Sequence, residues 1–171
     1  MRSSKIMSFE ITLLDPPAYN RGSRKHAVAA GAAATIKAGQ LVLKSLGSAS
    51  VVAWDASNSA KPVVATDYVA GLATSDSTET AAAVGTVDIM PITTDMVFLA
   101  NPTTAASWDT QAEYDALVGD RVLLNTTSAR VQSILHTDGA TYGLVIQPLD
   151  IKKHPGKVAF SLRSDVNYLH A

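Results

Sequence analysis

The chain has 171 residues, no cysteine and a formal net charge of −1 at pH 7. That length accommodates one domain with a real hydrophobic core, and the lack of cysteine excludes a disulfide, a thiolate nucleophile and a cysteine metal cage. The near-neutral balance excludes binding to polyanions by bulk charge, no run approaches the roughly 18 apolar residues of a membrane span, and residues 1–8 are too polar for a secretory leader.

The charge is unevenly spread. Residues 1–26 carry five bases and two acids, 37–120 carry three bases and ten acids, and 121–171 carry six bases and three acids. An acidic middle with basic ends can meet identical neighbours through complementary patches, as an assembly subunit does. Acidic surface loops alone give the same pattern.

In chain order, Phe9, Ile11 and Leu13 alternate with Glu10 and Thr12, which predicts a strand over 9–14. Asp15-Pro16-Pro17 ends it, since proline cannot donate to a ladder and restricts the residue before it. Arg21-Gly22-Ser23-Arg24-Lys25 is a basic cluster, and 27–34 is almost all alanine and glycine. Such a segment buries little surface for the entropy it loses, so residues 1–34 are expected to be an extended N-terminal arm ordered by a partner. An alanine-rich helix over 26–34 is the alternative. On this expectation, deleting residues 1–34 leaves the body folded. An acidic protein surface is favoured over phosphate for the basic cluster, because three charges give only weak polyanion binding; direct nucleic-acid binding is not expected.

The β-rich body is placed at 35–150. Thr35 to Leu43 turns at Gly39 into an apolar alternation that buries one face. Similar corner-and-strand phrases recur at 84–89 and 118–124. Further strands are predicted at 41–46, 51–54, 63–65, 68–73, 86–90 and 96–100, with an exposed loop at 75–83. Thr110 and Glu113 have capping-box spacing and Gly119 stands at a C′ position, which predicts one short helix between them. Strands at 131–135 and 141–147, separated by a turn with Asp138-Gly139, predict a hairpin. Residues 151–171 hold a basic turn, a last strand at 158–162 and a C-terminal tail. Many short strands with frequent turn signals imply a mainly β fold, a small β-barrel or β-sandwich with one short helix and extended arms at both ends.

Reaction chemistry is hard to place. There is no Gly-x-x-x-x-Gly-Lys-Ser/Thr, no Gly-x-Gly-x-x-Gly and no Gly-x-Ser-x-Gly. His26, His136, His154 and His170 lie far apart, with no pair at metal-ligand spacing. Asp88 and Asp95 flank one turn, and Asp109, Glu113 and Asp115 surround the helix start, where the helix dipole already accounts for acids. Trp54 and Trp108 lie among acids, away from the bases, so core or subunit-contact packing is the better reading for them. They would have to be exposed to serve as stacking platforms of a carbohydrate-binding module. No catalytic residue, cofactor or metal is assigned.

Several phrases occur together: a Gly- and Ala-rich arm, Ile36-Lys37-Ala38-Gly39-Gln40-Leu41-Val42, Val69-Ala70-Gly71-Leu72-Ala73, Gly85-Thr86-Val87-Asp88-Ile89-Met90-Pro91 and Val118-Gly119-Asp120-Arg121-Val122. In this order the chain resembles the small bacteriophage head decoration, or cement, proteins of the phage lambda decoration protein family, with longer ends. The resemblance covers roughly residues 35–147 through phrases of low specificity. It implies a β-tulip-like, non-enzymatic virion protein, made in the host cytoplasm and seated as a homotrimer on the capsid exterior. Its partners would be the major capsid protein and itself. In that family an N-terminal arm contacts the shell, and Phe9, Ile11 and Leu13 could do so here by strand addition, with Arg21, Arg24 and Lys25 beside them. Trp54, Trp108, Lys152 and Lys153 are the candidate subunit contacts. A phage tail-tube subunit is the alternative within the same class.

Overall fold

The computed structural model describes residues 11–14, 22–31, 36–45, 47–52, 54, 62–63, 67–104, 108–126, 132–136 and 138–166. In chain order the elements are β1 (Thr12–Leu13), β2 (Arg24–Val28), β3 (Leu41–Ser45), β4 (Asp67–Ala73), β5 (Gly85–Met90) and β6 (Phe98–Pro102). Helix α1 (Gln111–Ala116) follows, then β7 (Arg121–Thr126), β8 (Gln132–Leu135), β9 (Leu144–Ile146), β10 (Val158–Leu162) and a 3-10 turn at Ser164–Val166. The fold is mainly β, as expected, and is built from two sheets.

The larger sheet is a closed five-stranded barrel. Its order is β6-β10-β9-β7-β8, and β8 returns to pair in parallel with the far end of β6 (Asn101 with Ser133, Pro102 with Ile134). Every other pairing in it is antiparallel. Closure removes the exposed edges that an open sheet must protect. All five residues of β10 are buried, so this late strand is a central stave. Phe98 and Phe160, partners in register, stack across the interior with ring centroids 5.7 Å apart.

The second sheet has the order β2-β5-β4-β3, all antiparallel. Residues 51 and 52 bridge its two outer strands: Val51 N–H donates to Ala27 O (2.9 Å) and Val52 N–H to Leu43 O (3.0 Å). The sheet therefore curls round a small core of its own, formed by Val28, Ile36, Val42, Val51, Ala70, Ala73, Val87 and Ile89. Alternation divides β3 between the two cores. Leu41 and Leu43 enter the barrel core and Val42 the small one, so this strand is buried on both faces rather than on one. Gln132, fully buried, ties the two sheets together: its Oε1 accepts from Leu41 N–H (2.9 Å) and its Nε2 donates to Leu41 O (3.0 Å). An amide side chain thus completes a rung for a strand 91 positions away.

The N-terminal arm is not separate from the body where it is described. β2 pairs along its whole length with β5, and Val28 lies in the small core. β1 pairs with Leu99 and Phe98 of β6, Leu14 N–H donates to Val97 O (2.8 Å), and Ile11 is buried in the barrel core. Two buried apolar side chains, Ile11 and Val28, and a strand's worth of hydrogen bonds offset ordering entropy there, however alanine-rich the flanks are. The last strand likewise belongs to the body, not to a terminal arm.

The predicted hairpin at 136–140 does not form. β7 is inserted between β8 and β9, and Asp138-Gly139 crosses its end: Asp138 Oδ1 accepts from Arg121 N–H (3.0 Å) and Gly139 N–H donates to Arg121 O (3.2 Å). Of the strand predicted at 51–54, residues 51 and 52 make single bridges, and residue 53 lies outside the described residues. The loop at 75–83 is largely exposed, but Ser77 is buried and its hydroxyl accepts from Ile36 N–H (2.9 Å). Of the three repeated phrases, Gly39 and Gly119 take positive φ (86° and 96°). Gly85 is different: a Cβ there would collide with the backbone of Glu79, so close approach rather than a corner demands glycine.

Candidate interaction surfaces

Helix α1 forms as its sequence predicts. The Thr110 hydroxyl accepts from Glu113 N–H (3.2 Å) and the Glu113 carboxylate accepts from Thr110 N–H (3.0 Å), a reciprocal capping box. The helix ends at Leu117, so Gly119 falls one position beyond C′, and its N–H serves the barrel by donating to Ile146 O (3.0 Å). Tyr114 anchors the helix. It is fully buried, and its hydroxyl accepts from Ala159 N–H (2.9 Å) and donates to Gln147 O (2.9 Å). Burial, opposed by that backbone bond, pushes its pKa up to about 12. Asp109, just before the N-cap, and Glu113 and Asp115, on either side of Tyr114, are exposed. None of these three pairs with a base among the described residues.

Beside the helix runs the basic turn. Gln111 fixes it by donating to Leu149 O (2.9 Å) and accepting from Ile151 N–H (3.1 Å). Lys152 and Lys153 are exposed; Lys153 Nζ lies 3.6 Å from Asp150, which also accepts from Lys152 N–H. Such exposed pairs contribute little to stability, so these side chains remain available. A cleft of about 230 Å³ separates the turn from the helix start, lined by Pro102, Trp108, Asp109, Ile151, Pro155 and Gly156.

A second basic surface lies at the mouth of the small sheet. Arg24 and Lys25 are exposed at the start of β2. Lys25 stands opposite Asp88, while Arg24 and His26 stand opposite Ile89 and Val87, whose side chains line the small core. His26 has its pKa lowered by burial, then by Lys44 and Arg24. Asp76 closes the other end, accepting from Ala38 N–H (3.0 Å) and pairing with Lys37 (3.0 Å), which hold its pKa down.

The structure thus distributes the proposed contact residues among several places. Phe9 and Arg21 lie outside the described residues. Leu13 lies in β1, and Ile11 is core, so neither adds a strand to another protein while β1 occupies β6. Trp54 (1% exposed) is core, and Trp108 (5%) offers only an edge to the cleft, packing against Tyr114 and, edge-on, His136. Rings buried this way cannot be sugar-stacking platforms or broad subunit contacts; core packing is what they do. His136 also lies 3.4 Å from Asp120, a local bond. Among the described residues no three His, Asp or Glu side chains are grouped to hold a metal ion, and no helix is long and apolar enough to cross a membrane. The grouping of Arg24 and His26 with Lys44 was missed in sequence because two strands far apart in the chain, β2 and β3, supply it; the period-2 spacing of Arg24, His26 and Val28 was its only trace.

Comparison with family models, curated proteins and solved structures finds no match to this chain.

Proposed function

We propose that this chain is a structural virion protein that binds the outside of an icosahedral phage shell as a homotrimer and clamps neighbouring major capsid proteins, without catalysis. The reading is supported by the order of the phrases at 36–42, 69–73, 85–91 and 118–122, which resembles the head decoration proteins. All four phrases fall on strands or corners of the two sheets. With Ile11 and the tryptophans inside, the contact surface falls to Arg24, Lys25, Lys152 and Lys153. The mechanism is mass action: a protein that binds the assembled shell and not its parts stabilises the shell by about 2.7 kcal/mol per site at a hundredfold excess over Kd. Heating shells with and without the protein, with DNA release as the readout, tests this. A higher release temperature is expected when it is bound; an unchanged temperature at saturating protein refutes the proposal.

A further inference from the structure

Asp138-Gly139 is left without the role its sequence suggests, since β7 separates the strands it would join. It is also the one Asp-Gly step in the sequence, and Asn-Gly does not occur. An aspartate followed by glycine is the most easily rearranged of aspartyl pairs, because a residue with no Cβ lets its amide nitrogen swing onto the neighbouring side chain. The rearrangement needs no other reactant than water. Gly139 N attacks Asp138 Cγ, and the amide proton leaves with the carboxyl hydroxyl as water, closing a succinimide. Water then opens the ring. Addition at Cγ restores aspartate. Addition at the main-chain carbonyl carbon breaks the original peptide bond and leaves isoaspartate, with the chain running through Cβ and Cγ.

In the folded chain one residue holds both reacting groups. Gly139 N–H donates to Arg121 O (3.2 Å), and Asp138 Oδ1 accepts from Arg121 N–H (3.0 Å), so cyclisation has to break both bonds. The rest of the turn is fixed as well. Gly139 O accepts from Tyr142 N–H (2.9 Å). Ala140 O accepts from the guanidinium groups of Arg121 (3.3 Å) and Arg163 (2.9 Å). Arg163 also donates to Tyr142 O (3.1 Å) and pairs with Asp165 (2.7 Å). The Tyr142 ring lies where a Cβ at residue 139 would stand, so packing requires the glycine that makes the pair reactive. One arginine begins β7 and the other directly follows β10, so the clamp exists only when those parts of the barrel are assembled.

We propose that Asp138-Gly139 is a latent isoaspartate site, held closed in the folded chain by Arg121 and Arg163 and opened when that end of the barrel frays. Rearrangement passes through an open state in which both Arg121 bonds are lost, so its rate follows the population of that state. Once formed, isoaspartate puts an extra carbon into the backbone beside β7, which shifts Gly139 out of step with Arg121. The inference concerns the chain's own chemistry and stands whether or not the chain binds a shell.

To test it, the full chain is held warm at neutral pH, once folded and once in concentrated guanidinium chloride. Residue 138 is followed by proteolysis and electron-transfer fragmentation, which distinguishes the two isomers. Isoaspartate is expected to form at least about tenfold more slowly in the folded chain, because opening costs both hydrogen bonds. Arg163→Met, checked for folding by circular dichroism, should speed the reaction about fivefold in the folded state. If that variant does not fold, Arg121→Met takes its place; it removes only the side-chain bond to Ala140 O, and a rise of about threefold is expected. Equal rates in the folded and unfolded natural chain, or a folded variant that isomerises no faster than the natural chain, would each overturn the proposal.

Discussion

Replacing Ile11 by alanine measures whether the N-terminal segment is part of the body. Ile11 is buried in the barrel core, and β1 holds it there by pairing with β6. Alanine removes three carbons, worth about 2.4 kcal/mol at ~0.8 kcal/mol per buried methylene. The residual cavity raises this to about 3–4 kcal/mol, within the range for large-to-small core changes. For a chain of this size that is a fall in Tm of about 6–15 °C. Urea denaturation followed by tryptophan fluorescence is suited to it, since Trp54 and Trp108 share this core with Ile11. The midpoint should fall with the slope unchanged. A loss under about 0.5 kcal/mol, the size of a surface substitution, would show that the body does not need residue 11. By the same reasoning, deletion of residues 1–34 removes β2 along with Ile11 and Val28, and the remaining chain should not hold its second sheet. Loss of strand signal in circular dichroism is the expected outcome, the opposite of a dispensable arm.

Gln132→Ala leaves both the N–H and the C=O of Leu41 without the partner that joins the two sheets, and should lower stability by about 2–4 kcal/mol; a change below 1 kcal/mol in chemical denaturation would mean that the joint is replaceable. The Tyr114 pKa of about 12 lies above its ordinary 10, so its protonated form is favoured by folding. Its contribution is therefore fully present below pH 10 and lost as the pH rises from about 10 to 12. Stability of the Tyr114→Phe variant should be lower at pH 7 and fall less steeply across that window, as seen by thermal unfolding at each pH; parallel curves would refute the assignment.

The parts of this fold that were legible in sequence depend on neighbours a few residues apart. Thr110 and Glu113 specify their helix through contacts three positions long. Val87 and Ile89 specify the inward face of β5 by alternation. Where legibility failed, two signals of equal local quality competed with distant ones. Asp138-Gly139 is a hairpin signal, but Arg121 at the start of β7 takes its hydrogen bonds, and β7 separates the strands it would join. The apolar run Leu41-Val42-Leu43 reads as one buried face until a second core is known to exist. The contact residues were partly misplaced for the same reason. Ile11 and Trp54 carry no mark that distinguishes an exposed anchor from a core side chain, whereas the charge of Lys152 and Lys153 keeps them exposed.

By itself the sequence determined the β class, the capped helix, most strand positions and the lopsided charge, because these follow from propensity, periodicity and side-chain chemistry acting locally. Only the tertiary structure decided which strand lies beside which: β8 closing the barrel in parallel on β6, β1 completing that edge, and residues 51 and 52 curling the second sheet. Backbone donors and acceptors are the same on every strand, so a sequence cannot label its partners. The choice is made by which arrangement buries Ile11, Phe98, Phe160 and Val28 at once while leaving Arg24 and Lys25 in water.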